Sequence, residues 1–166
     1  SASQSISSGT VSIALGASGP ANRLSVAATN LVPGDTVQRA VDLTSNSSDP
    51  LGSVSLQTSA SPSNALTTDS NGLTVKVDKC SVAWTESGVA PAYTYTCSGT
   101  TTSILAASAA GNTSALSSLA ALSSGSSTDH LLVTLALPTA AGNSLQGLST
   151  TITYSFNGTQ RAAASK

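Results

Sequence analysis

The sequence predicts an all-β domain, a jelly-roll-like antiparallel sandwich, and three observations predict it. Apolar residues recur with a period of two, Gly, Pro and Asn turns divide the runs, and most apolar residues are small aliphatics. Alternation of this kind turns one face of a strand to a core and the other to solvent. Val, Leu, Ile and Ala suit the narrow space between two sheets about 10 Å apart. Aromatic residues make up only 3% of the chain, so the core is expected to be aliphatic. The 166 residues are enough for one domain with its own core.

The strands follow in order. Val11, Ile13 and Leu15 alternate with Ser12 and Ala14, and Leu24, Val26 and Ala28 alternate with Ser25 and Ala27. Pro33-Gly34 then suits a type II turn, Pro setting φ and Gly accepting a positive one. Residues 37–43 form the next strand, with a one-residue slip in the apolar pattern near Arg39 that a bulge would accommodate. Val54 and Leu56, then Leu73, Val75 and Val77, continue the pattern, with turns at Ser48-Asp49-Pro50 and Ser70-Asn71-Gly72. Residues 131–137 and 150–156 complete it. Between them, Leu116, Leu119 and Leu122 fall three apart, as on one face of a helix. One or two short helices are therefore expected in residues 100–122, covering one end of the sandwich. The domain is expected to span residues 9–166, preceded by an extension of residues 1–8.

Charge narrows the functional classes. Only 8% of residues are charged, against roughly 25% in an ordinary soluble domain. Ser, Thr, Asn and Gly must cover the surface, which leaves little repulsion to keep copies apart. The net charge is −1 and the six cations are scattered, so nucleic acid is not an expected partner. No apolar run approaches the roughly 18 residues a membrane span requires, so no membrane insertion is expected. The first residues read as a mature N-terminus after signal-peptide removal, which implies a secreted protein, extracellular or at the cell surface.

Cys80 and Cys97 are the two cysteines, and neither belongs to a CxxC motif. An even count in a Ser/Thr-rich exported chain points to one disulfide, contributing about 3 kcal/mol by closing its loop. Two buried thiols are the alternative.

No catalytic centre is legible. A metallopeptidase of the HExxH kind needs paired histidines, whereas this chain has the single histidine His130 and the single glutamate Glu86. No GxSxG elbow occurs, and Asp129 and His130, adjacent on a strand, would face opposite ways. His130 is expected at the surface or a strand edge. Asp69-Ser70-Asn71-Gly72 begins like a calcium loop but lacks the later acidic ligands, so a turn is expected. No catalytic residue, metal ligand or cofactor is therefore expected. Trp84, Tyr93 and Tyr95 fall within the Cys80–Cys97 loop. They read as an aromatic cluster packed on the disulfide, or alternatively as the stacking surface of a monomeric adhesin or carbohydrate-binding module.

The first third of the chain carries a resemblance. Ser8-Gly9-Thr10 precedes an alternating strand, Asn30-Leu31-Val32-Pro33-Gly34-Asp35 precedes the next, and that strand ends in Thr44-Ser45-Asn46-Ser47-Ser48. This pattern resembles the TasA/camelysin family of secreted bacterial proteins. The Cys80/Cys97 segment departs from it. The resemblance implies a jelly roll and a biofilm-matrix fibre whose subunits join head-to-tail by insertion of an N-terminal donor strand into the neighbouring sheet. The donor would comprise Ser1, Ala2, Ser3, Gln4, Ser5, Ile6, Ser7 and Ser8, with Val11, Ile13 and Leu15 if it runs longer. The expected partner is the chain itself, with other matrix or surface proteins in addition. Camelysin-type members carry a metallopeptidase label, which makes a secreted metallopeptidase the alternative.

Overall fold

The computed structural model describes residues 13–15, as backbone, and residues 25–161. Eleven strands make up the described fold: β1 (Ile13–Leu15), β2 (Ser25–Ala28), β3 (Thr36–Ser45), β4 (Ser53–Ser61), β5 (Thr74–Cys80), β6 (Thr85–Ser87), β7 (Thr94–Thr96), β8 (Thr101–Ala109), β9 (Thr113–Leu116), β10 (Ser127–Ala136) and β11 (Thr150–Thr159). They form a five-stranded sheet ordered β1-β3-β10-β5-β8, a four-stranded sheet ordered β2-β11-β4-β9, and a separate β6-β7 hairpin. All strand pairs are antiparallel. The result is an antiparallel β-sandwich of jelly-roll-like character. From β1 to β5 and again from β8 to β11, each successive strand lies in the opposite sheet.

Period-two patterning explains how the strands bury their faces. In β11, Thr150, Ile152, Tyr154, Phe156 and Gly158 are buried and the residues between them are not. In β10, Leu131, Val133 and Leu135 face the same interior, opposite Val41 and Leu43 of β3 and Val75 and Val77 of β5. The core is not purely aliphatic, as composition had suggested. Tyr154 and Phe156 are its two largest fully buried side chains. Few aromatics in the chain does not mean few in the core, because each buries far more surface than a Val or an Ala.

The type II turn forms as the sequence indicates. Asp35 N–H donates to the Val32 carbonyl at 2.9 Å, and Gly34 has φ +97°. The Asp69 loop is also a turn. Asp69 Oδ1 accepts the Asn71 N–H at 2.8 Å, and a Cβ on Gly72 would stand 2.5 Å from the Leu66 carbonyl oxygen.

Three local expectations change. No bulge occurs at Arg39, since β3 pairs with β10 in one unbroken register from Thr36 to Ser45. The register shifts fall instead between β5 and β8, around Val77. Within residues 100–122 the helical content is a single 3-10 turn, Ala120–Leu122, and the rest is mainly β8 and β9. Leu116 and Leu119 do enter the core, but Leu116 reaches it from a strand paired with Val54. Spacing of three alone therefore does not identify a helix. A short helix that periodicity does not show, α1 (Ala65–Thr68), is started by Asn64, whose Oδ1 accepts the Leu66 N–H at 2.9 Å.

Candidate functional site

One flank of the sandwich is built from a mismatch in strand length. β3 and β11 have ten residues each, but β1 beside β3 has three and β2 beside β11 has four. β1 covers only Leu43, Thr44 and Ser45 of β3. β2 covers only residues 150–153 of β11. Among the described residues, the remainder of each long strand has no strand on that side. The opposite flank differs, because β8 passes directly into β9 and the Asn112 carbonyl accepts the Thr58 N–H of β4 at 3.0 Å.

The disulfide-closed segment occupies the outer face of the five-stranded sheet. Cys80, at the end of β5, is bonded to Cys97, with Cα atoms 5.8 Å apart. The β6-β7 hairpin lies between them. Ala40 of β3, Leu132 of β10 and Cys80 are buried without belonging to the core between the sheets. They form a second, small apolar layer beneath this segment, and the buried Ala40 creates the apparent slip in the pattern at Arg39. Trp84 Nε1–H donates to the His130 carbonyl at 3.0 Å. The Tyr95 hydroxyl donates to Glu86 Oε2 at 2.7 Å. Burial first, then the bonded Glu86 carboxylate, pushes the Tyr95 phenol up to about 12.

Arg39 links this hairpin to the interior. It occupies an inward position on β3 and is 6% exposed. Its guanidinium curls round the strand to donate to the Gln38 carbonyl at 2.6 Å and the Pro91 carbonyl at 3.1 Å. It also lies over the Tyr93 ring, 5.0 Å from the centroid. Inside the sandwich, the Tyr154 hydroxyl is buried with no hydrogen-bond partner among the described residues. Burial drives its phenol well above the ordinary value, and only the Arg39 charge opposes that.

The titratable residues among those described engage in separate local contacts. Asp129 and His130 face opposite ways, as period two requires. Asp129 accepts the N–H groups of Ala120 and Ala121 at 2.8 and 3.2 Å and pairs with Lys79 at 3.2 Å. His130 is not at a strand edge: β10 is the middle strand of its sheet. Its Nδ1 lies 2.8 Å from Asp42 Oδ1, a pairing across 88 residues that only the β3-β10 register could disclose. No group of three or more His, Cys, Asp or Glu residues comes together among the described residues. Among the described residues, no helix is long and apolar enough to cross a membrane.

The expected donor residues Ser1, Ala2, Ser3, Gln4, Ser5, Ile6, Ser7, Ser8 and Val11 lie outside the described residues. Ile13 and Leu15 are in β1, opposite Ser45 and Leu43 of the same chain. No protein-family model matches the chain, and no curated protein sequence matches it.

Proposed function

We propose that this protein is the structural subunit of an extracellular filament, a biofilm-matrix or cell-surface fibre, that assembles head-to-tail by N-terminal donor-strand exchange. The observation that carries the reading is the flank where, among the described residues, ten-residue β3 and β11 are paired over only three and four residues. An extended segment can add to such an edge through main-chain hydrogen bonds, and a head-to-tail contact that does not close gives an open filament. The low charge of the surface and the TasA/camelysin-like pattern of the first third support the same reading. The Cys80–Cys97 bond favours an oxidising, extracellular setting. Trp84, Tyr93 and Tyr95 are engaged by the protein's own groups, which gives little support to a glycan-stacking role.

Electron microscopy of the purified protein at high concentration tests the reading. Unbranched filaments with an axial repeat of one domain are expected. Removal of residues 1–8 should abolish them while leaving the thermal unfolding transition in place. Filaments that persist after that deletion would refute donor-strand exchange.

A further inference from the structure

We propose that the hollow between the end of β4, the helix α1 and the β8-β9 turn is a binding site for a neutral saccharide, such as one unit of an uncharged polysaccharide. This goes beyond the filament reading and does not rest on it.

The hollow has a volume of about 290 Å³, near the lower end of the roughly 300–1,000 Å³ of small-molecule sites. Its walls are fixed by the chain's own contacts. β9 pairs with β4 only from Val54 to Gln57, so the end of β4 runs on past it. The Asn112 carbonyl accepts the Thr58 N–H at 3.0 Å, and the Thr58 hydroxyl accepts the Gly111 N–H at 2.7 Å. These bonds hold the β8-β9 turn against β4. Asn64 caps α1 and donates through Nδ2 to the Ser149 carbonyl at 2.9 Å, which anchors the helix. A Cβ on Gly111 would lie 3.4 Å from the Thr67 Cβ, so the turn and the helix meet. A hollow fixed in this way needs little ordering when a ligand enters.

The lining selects the ligand class. Among the described residues that line the hollow, none is charged and none is aromatic. Gln57, Ser59 and Ser63 are exposed and make no hydrogen bond to another described residue. The Thr67 and Thr68 hydroxyls donate to the Asn64 carbonyl at 3.3 Å each, which leaves their oxygens as acceptors. Main-chain groups of alternate residues in an antiparallel strand point to the same side. The Thr58 N–H points to the β8-β9 turn, so the main-chain groups of Ala60 face that side too, beyond the end of β9. The hollow thus offers hydroxyls, a primary amide and a peptide group, all neutral donors and acceptors. Sugar hydroxyls are their chemical match, because each also donates and accepts. A phosphate, sulfate or uronate is best held by a cationic side chain, and the lining supplies none. An apolar ligand would leave the polar groups desolvated and unpaired. Without ring stacking a single site binds weakly, and a polysaccharide that spans many copies of the protein gains by multivalency.

A glycan array read with dispersed full-length chain tests the site. The probes are immobilised neutral oligosaccharides of glucose, galactose, mannose and N-acetylglucosamine, beside sulfated and uronic-acid glycans. Retention on at least one neutral probe is expected, and it should be insensitive to salt because no ion pair forms. Gln57→Ala and Ser59→Ala should each weaken it roughly fivefold, as for the loss of one neutral hydrogen bond. Both side chains are exposed, so the thermal unfolding midpoint should stay in place. Trp84→Ala should leave retention unchanged. No retention on any neutral probe, or retention on the charged probes alone, overturns the proposal. So does retention on a neutral probe that ignores both the Gln57 and the Ser59 changes.

Discussion

Tyr154→Phe should stabilise this protein, although it alters the largest fully buried side chain. The hydroxyl is buried and has no hydrogen-bond partner among the described residues. Burying such a group unpaired costs about 1–3 kcal/mol. Removing it leaves a void of roughly 10 Å³, which costs about 0.2 kcal/mol at ~24 cal/mol per Å³. The ring keeps its packing between the sheets, so the net gain is about 1 kcal/mol. For a domain of this size that raises Tm by about 2–4 °C. Urea unfolding at neutral pH measures it as a higher midpoint with an unchanged slope. A loss of 1 kcal/mol or more would refute the reasoning, because it would mean that the hydroxyl is hydrogen-bonded in the folded protein.

Other outcomes follow from the same contacts. Stability should fall as pH rises above 10: the unfolded Tyr154 phenol ionises there, while burial keeps the folded one protonated, so the unfolded state binds fewer protons. One such proton gives a slope of about 1.4 kcal/mol per pH unit, and Tyr154→Phe should flatten that limb in an alkaline urea series. Cys80→Ser/Cys97→Ser should cost about 3 kcal/mol by the loop-entropy relation for a sequence separation of 17, read as a lower thermal midpoint under non-reducing conditions. Asp129→Ala should cost about 3 kcal/mol. It strands the N–H groups of Ala120 and Ala121 and leaves Lys79 without its carboxylate, and calorimetry would record the loss.

Period two was a dependable guide wherever one strand face meets the core and the other meets water. That condition holds for β2, β4 and β11, and the sequence discloses them. It fails where a second layer covers the outer face. Ala40 and Leu132 are buried under the disulfide segment, so the pattern through Arg39 looked like a slip although the register is unbroken. Residues 101–109 were opaque for another reason. Only Ile104 in that strand is buried, so its identity as β8 comes from pairing with β5 rather than from its own alternation. The Cys80–Cys97 pairing was legible because the chain offers no other choice. The Arg39, Tyr95 and Asp42–His130 contacts were not, because each joins residues brought together by register or by the hairpin's docking.

The alternation of successive strands between the sheets has a consequence for the order of folding. β10 lies between β3 and β5, and β11 lies between β2 and β4. The strands that hold each sheet together are thus the last two of the fold to be synthesised. Before they emerge, β3 and β5 have no common neighbour, and neither do β2 and β4. The structures available earlier are local ones such as the helix α1 and the β6-β7 hairpin, together with the β5-β8 pair that encloses that hairpin. Contacts this distant in sequence make for slow folding. A nascent chain of this design can close its two sheets only after β10 and β11 have been made.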